Sequence, residues 1–305
     1  MKWISVFCLI FISLCVNFSH ETRAESQVEK FIKEAEELFV QGNFFEAAIA
    51  FERAYFFSGD ARQRMEANLG RAQALKQRGD FSKARRDLQR SAHLSRFPEL
   101  HRQILYEMAF CDYMSANYSS AIGVLGQIQH FYPEFYDSPP VMLLYSLAAI
   151  MSEDWDLARD KTIELLLLNQ FEPQKADSLM GKLDIFFCEC SVPEKRSPDR
   201  AAKLSTFLPG TGHFYAGYPG KGLLNAGSQI TSLGLAGYMA WSNLYISGFV
   251  IGLGMFQSFY FGGIRQAEYL AQQGNLNRMA AHKELLKDFV LDLYQLSEEQ
   301  NVQGF

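Results

Sequence analysis

From Glu25 to about Cys190 the chain repeats itself at a spacing of 37 residues, and a repeat of that length admits few folds. With Gly42, Gly79, Ala116 and Glu153 aligned, Phe44, Phe81, Tyr118 and Trp155 follow two positions on, aromatic each time. Five positions on stand Ala47, Ala84, Ala121 and Ala158. Seven before the anchor stand the small residues Ala35, Ala72, Ala109 and Ser146. Nine after it come Phe51, Leu88, Leu125 and Thr162, apolar in the first three. The physical reading is one pair of antiparallel helices per repeat. Glycine ends helix A, because it takes the left-handed conformation cheaply. The aromatic opens helix B and packs back on helix A, and the small residues let the two axes approach. Each pair leaves an apolar face that its neighbour must cover, so the pairs stack. Gln174–Phe187 closes the stack as a last helix, with Leu179, Leu183, Phe186 and Phe187 at helical spacing.

These residues resemble the tetratricopeptide (TPR) repeat over about 150 residues. The Gly42-Asn43-Phe44 and Gly79-Asp80-Phe81 turns, the small residue within helix A and the signature alanine of helix B carry the likeness. The period exceeds the family's usual one, which predicts longer links between repeats. Ala116, Glu153 and Thr162 depart from the pattern in the third and fourth repeats. The resemblance implies a superhelical solenoid with a concave groove for peptides or partner proteins.

Charge is uneven along the repeats. The first is acidic and the second basic; Lys83, Arg85, Arg86 and Arg90 form a candidate patch for an acidic partner or lipid phosphates, set against a plain solvated helix face. A net charge of −5 gives no reason to invoke nucleic acid.

Beyond a linker at 191–199, no charged side chain occurs from Gly222 to Ile264. That is length enough for two membrane spans of roughly 20 residues. Leu223–Ala240 and Ile246–Gly263 read as the two helices of a hairpin, with Trp241-Ser242-Asn243-Leu244-Tyr245 as its interfacial turn. Gly227 with Thr231, Gly248 with Gly252, and Gly254 with Ser258 are small pairs at packing intervals. A helix over Ala201–Leu208 leads in and is broken at Pro209-Gly210. Leu208, Pro209, Gly210, Gly212, Phe214, Tyr215, Gly217 and Gly222 form a glycine-aromatic motif that reads as a tight turn at the membrane surface. It is not a phosphate loop, since Lys221 is followed by Gly222 rather than Ser or Thr. His213 reads as structural rather than as a proton carrier. The motif is similar to an LPGxGxxYxG-type module at the C-terminus of many bacterial membrane proteins, often behind TPR-like repeats, and more loosely to TM2-type hairpins. The resemblance implies a membrane hairpin and supplies no activity. Ile264–Leu270 and Leu276–Leu296 are expected as two amphipathic helices of a tail over 264–305.

The first 24 residues have the form of an export signal: a basic start, apolar Ile4–Phe18, and Ala24 before the cut. An uncleaved anchor is the rival. Of the remaining cysteines, Cys188 and Cys190 read as packed small residues ahead of a metal or redox pair, and the odd count argues against a disulfide framework. No metal, cofactor or catalytic constellation is legible.

The expected whole is therefore all-α: signal 1–24, a four-repeat TPR-like solenoid with a capping helix at 25–190, a membrane module at 200–263, and the tail. The expected function is non-enzymatic, a scaffold in the bacterial inner membrane facing the periplasm, with a protein or peptide in its groove, lipid around its hairpin, and a homo-oligomer through the hairpin as an open alternative. A membrane-active role in lipid handling or transport is the competing reading. Lys195, Arg196, Arg200, Lys203, Lys221, Arg265 and Arg278 all flank one side of the hairpin. The positive-inside tendency would put that side in the cytoplasm, against the export signal. A third span at Leu204–Gly220 would relieve part of the conflict.

Overall fold

The computed structural model describes residues 27–91, 95–169 and 171–303, with side chains to Leu296. The expected export signal and its cleavage site lie outside the described residues. The described residues are predominantly helical and no strand occurs among them, so the fold is all-α. Two compact units form. One comprises the chain up to Met180 together with the segment from Phe289; the other runs from Gly181 to Asp288. The boundaries fall inside helices, not at the expected linker.

The first unit contains α1 (27–40), α2 (Phe44–Phe57), α3 (Ala61–Gln77), α4 (Phe81–Gln89), α5 (Pro98–Met114) and α6 (Tyr118–Phe131). A short α7 (Pro133–Tyr136) follows, then α8 (Pro139–Ser152), α9 (Trp155–Leu168) and the start of α10 (Pro173–Phe186). From α2 to α9, helices neighbouring in the chain pack on one another. The sequence period is written into the backbone. All four anchors are left-handed: Gly42 at φ +80°, Gly79 at +74°, Ala116 at +59° and Glu153 at +65°. At each, the same pair of bonds closes the helix. Gly42 N–H meets Phe39 O and Asn43 N–H meets Leu38 O; the other three anchors repeat both bonds 37 residues on. Ala47, Ala84, Ala121 and Ala158 are fully buried, as are Ala35, Ala72, Ala109 and Ser146. The aromatics are the first residues of α2, α4, α6 and α9. Phe44 packs back on Phe39 and Tyr118 on Tyr113, with centroids 5.2 and 5.7 Å apart, whereas Phe81 reaches forward to Phe110 at 6.3 Å. The extra length per repeat goes into the links as expected only later in the chain, after α4 and around α7. The first link is short, because α3 is long.

The second unit contains the end of α10, α11 (Pro198–Phe207), α12 (Thr211–Ala216) and α13 (Pro219–Trp241). After a turn at Ser242–Leu244 the chain runs without a break through α14 (Tyr245–Ser247), a wide π segment (Gly248–Leu253) and α15 (Gly254–Gln303). The expected turn is where the sequence puts it, with Asn243 at φ +60°. The tail differs from expectation: there is one helix, not two. Gly274 and Asn275, which look like a break, are used otherwise. Gly274 lies 3.7 Å from Ala216 O, counted from the Cβ it lacks, and the Asn275 side chain bonds the backbone of Arg196 instead of its own helix. From Phe289 the helix belongs to the first unit, where Val290 and Leu293 are fully buried.

Among the described residues, one helix is long and apolar enough to cross a membrane, Tyr245–Leu296. Helix α13 has the length, but Asn225, Ser228, Gln229 and Ser232 dilute its hydropathy.

Candidate functional site

The glycine-aromatic motif of the second unit is a site of close backbone approach. Helices α11 and α12 pack together, and a Cβ on Gly212 would sit 2.0 Å from Ala201 O and 2.4 Å from Ser205 Oγ. Gly212 N–H donates instead to Ser205 Oγ at 3.1 Å. Gly210, at φ +88°, opposes Gly222: a Cβ on Gly210 would lie 2.4 Å from Gly222 O. The Phe214 ring also lies against Gly222, 2.8 Å from where its Cβ would be. Gly217, at φ +93°, leaves room for the Arg196 guanidinium, which donates from Nη1 to Tyr215 O at 2.9 Å. Tyr215 Oη accepts from Ser197 N–H at 3.1 Å. Leu208 and Pro209 form the turn between α11 and α12. All eight motif residues thus lie in one small assembly, and it is a folded helical hairpin rather than the expected surface turn.

Asn275 fastens the strap before α11. Its Oδ1 accepts Arg196 N–H at 2.8 Å, its Nδ2 donates to Arg196 O at 2.7 Å, and Arg278 Nη2 donates to Oδ1 at 2.7 Å. Beneath lies a cluster of Ala201, Ala216, Ala267, Leu270 and Ala271, flanked by Tyr215 and Tyr218. His213 is fully buried; Nε2 lies 3.1 Å from Gln266 Oε1 and Nδ1 has no hydrogen-bond partner. The sequence marked Arg196 as linker charge and gave no signal for Asn275 or Gln266.

The hairpin is polar inside and apolar outside. Asn225, Gln229 and Ser232 are buried. Gln229 Nε2 donates to Asn225 Oδ1 at 2.9 Å, and Asn225 Nδ2 donates to Phe259 O at 3.2 Å across the pair. Of the three small pairs, Gly248 and Gly252 pack on α13, where a Cβ on Gly252 would lie 2.4 Å from Ala236 Cβ; Gly227 and Gly254 face open space.

In the first unit the candidate basic patch divides. Arg85 donates to Asp112 at 2.8 Å, where Ser120 also donates at 2.8 Å. Arg90 pairs with Glu52 at 2.9 Å and lies over the Tyr55 ring at 4.3 Å. Arg71 bonds the same Glu52 and Lys76 bonds Glu107. Lys83 and Arg86 are exposed, Lys83 reaching Asp80 at 3.4 Å. The acid-rich first repeat and the base-rich second are therefore partly matched to each other. Burial pushes the Glu52 carboxyl up, but the Arg90 hydrogen bond and the charges of Arg71 and Arg90 outweigh it, so it ends below its ordinary value. For Asp87, burial wins over the same two arginines and its carboxyl is raised. Asn68, fully buried, joins this network through the Asp87 carbonyl and Ser91 Oγ.

A second buried charge is Lys161, which donates to Tyr136 Oη at 2.7 Å and Glu164 Oε1 at 2.8 Å. It neutralises Glu164 in place and offers no free nucleophile. Burial pushes the Cys111 thiol up to about 12, which leaves it unreactive. Cys188 and Cys190 are joined as a disulfide, against the expectation of two packed thiols; one intervening residue puts their Cα atoms 5.2 Å apart, within bridging range. No cluster of three or more His, Cys, Asp or Glu side chains able to hold a metal occurs among the described residues.

A groove of about 570 Å³ opens between α1, α2 and α3. Ile32, Phe39, Val40, Phe51 and Leu69 line it, with Glu36 and Glu66 as its acids. Its floor is tight, since a Cβ on Gly70 would lie 2.5 Å from the Phe51 ring. Comparison of the chain with known protein families and with curated proteins finds no match in either.

Proposed function

We propose that the chain is a membrane-anchored scaffold: TPR-like stacked helix pairs held at the bacterial inner membrane by a two-span helical hairpin, facing the periplasm. The observation that carries the anchor is the inverted polarity of the second unit. Leu223, Leu224, Ile230, Leu233, Ile246, Phe249 and Val250 are exposed around a hairpin whose Asn225, Gln229 and Ser232 are turned inward. A contiguous apolar surface of that kind is disfavoured in water and suited to lipid. Asn225 Nδ2 and Oδ1 and Gln229 Nε2 are hydrogen-bonded to each other and to Phe259 O, which lowers part of the cost of α13 in lipid, while Gln229 Oε1 is buried without a partner.

The partner in this reading is a peptide segment with apolar side chains and a flanking basic residue. What supports it is the apolar groove of α1–α3 with Glu36 and Glu66 at hand. No catalytic step belongs to this function. The purified full chain in detergent, offered a peptide library, is expected to select apolar peptides bearing Lys or Arg. Val40→Glu and Glu66→Lys should each abolish their binding, and binding indifferent to both substitutions refutes the groove. The anchor is tested by alkaline extraction of membranes, with release into the supernatant as the adverse result. A second reading, lipid handling by the hairpin, draws on the cleft of about 360 Å³ between α13 and Met255 and Phe259, which is apolar and open on its outer side.

A further inference from the structure

The segment between the linker and α13 bears on how the second unit meets lipid. Helices α11 and α12 run antiparallel. Tyr215, at the end of α12, reaches Ser197, at the start of α11, while Gly212 lies against Ala201 and Ser205. The chain therefore returns to the level from which it left, turning at Leu208-Pro209-Gly210. Helix α13 then starts at that level and runs back along the turn, so that Gly210 meets Gly222 and Ala226. Ala226 is seven residues into α13, or about 10 Å at 1.5 Å per residue. On the other helix, Tyr260 Oη donates to Thr206 O at 2.8 Å. The tip is thus level with residues 222–226 of α13 and within reach of the Tyr260 hydroxyl, inside the charge-free stretch of both long helices.

Its polarity is graded in the same direction. Asp199, Arg200 and Lys203 lie near the base of α11, and no charge occurs from Leu204 to Gly220. The tip is apolar and bare, Phe207 being 88% and Leu208 61% exposed. Its backbone is prepared for a dry medium. Leu208 N–H bonds Leu204 O, His213 N–H bonds Gly210 O, and Thr211 Oγ1 donates to both Leu204 O and Leu208 O at 2.7 Å. Together with the bonds from Gly212 and Tyr260, these leave few polar groups at the turn that water would have to serve.

We propose that Pro198–Ala216 is a re-entrant helical hairpin whose Phe207-Leu208 tip enters the acyl layer by about 10 Å, roughly a third of a 30 Å core, and returns to the same face. The occupant of its apolar surface is lipid chain. The inference rests on the transmembrane reading of the larger hairpin. It replaces a third span: α11, with 10 residues, is about 15 Å long and cannot cross.

The test uses the full chain with its own cysteines replaced by alanine, in oriented phosphatidylcholine–phosphatidylglycerol membranes. Single nitroxide labels are placed through Asp199→Cys, Phe207→Cys, Gly220→Cys and Ile251→Cys. Collision with oxygen should exceed collision with a water-soluble nickel chelate at Phe207 and Ile251, with the reverse at Asp199 and Gly220. An impermeant thiol reagent should reach Asp199→Cys and Gly220→Cys from one side only, the same for both. A water-exposed label at Phe207 with Ile251 in lipid overturns the re-entrant hairpin alone. Asp199 and Gly220 on opposite sides overturn it in favour of a crossing. A water-exposed label at Ile251 overturns the transmembrane reading itself.

Discussion

Ala116 and Glu153 hold the left-handed conformation that glycine supplies at the first two anchors. An L-residue pays roughly 1–2 kcal/mol there, and glycine returns part of that through its freer unfolded state. Ala116→Gly is therefore expected to stabilise the first unit by about 0.5–1 kcal/mol, read as a higher melting temperature; a lower one would mean the turn is not the strained point. The same positions explain what the residues disclosed in advance. The spacing located all four helix ends, although two anchors lack the glycine that signals such an end. At the small positions the outcome is steeper. Ala84 and Ala121 are fully buried where two helices touch. Ala84→Leu or Ala121→Leu should cost roughly 1–3 kcal/mol by overpacking, and melting unchanged by both would contradict that contact. Glu52 is a third case. Its carboxyl titrates below its ordinary value of 4.5, so the stability it contributes is present above that pH and lost as pH falls through the folded value. Its side chain is 40% exposed, so screening limits Glu52→Gln to about 1 kcal/mol at neutral pH. Denaturant melts of the two proteins should converge below pH 4.5 and stay parallel above it.

Among the elements, the turn between α11 and α12 is the most tightly specified. Gly212→Ala drives a Cβ into Ala201 O, which is backbone and cannot yield, so roughly 2–3 kcal/mol of destabilisation is expected. Gly220→Ala is the matched control, because nothing lies within 4 Å of its missing Cβ. Thermal melts in detergent should separate the two, and equal effects would deny the close approach. The eight motif residues were legible as a unit because glycine and aromatic spacing is unusual. What the motif builds was not, because Arg196, Ser205 and Asn275 come to it from other segments and carry no local signal. Helix periodicity likewise divided the tail into Ile264–Leu270 and Leu276–Leu296: a one-dimensional pattern cannot show that Asn275, in the gap between them, bonds a backbone 79 residues away. The charge-free run gave the hairpin and its turn, yet not the burial of Asn225 and Gln229, which lowers the hydropathy of α13 while leaving its outer face apolar.

For the whole molecule, the decisive feature is that the first unit is not continuous in sequence. Its helices up to Met180 are joined by the chain's end, from Phe289 onward. Tyr294 lies within electrostatic reach of Tyr106, whose hydroxyl burial, helped by Glu107 and Tyr294, raises to about 12. The amphipathic character of the tail was visible in the sequence, but an amphipathic helix fits a solenoid, a membrane surface and a partner helix alike, so its destination was not. The fold gives the helix from Phe289 onward to the first unit. Leu293 is fully buried there, and removing its side chain leaves a cavity that neighbouring helices cannot wholly fill. Leu293→Ala should destabilise the first unit by about 2–4 kcal/mol, while the exposed neighbour substitution Asp292→Ala changes it by less than about 0.5 kcal/mol. Hydrogen exchange on the full chain in detergent is the readout. Faster exchange in α5 of the Leu293→Ala protein, with α13 unchanged, is the expected result. Unchanged exchange throughout the first unit would show that it holds its fold without the returning helix.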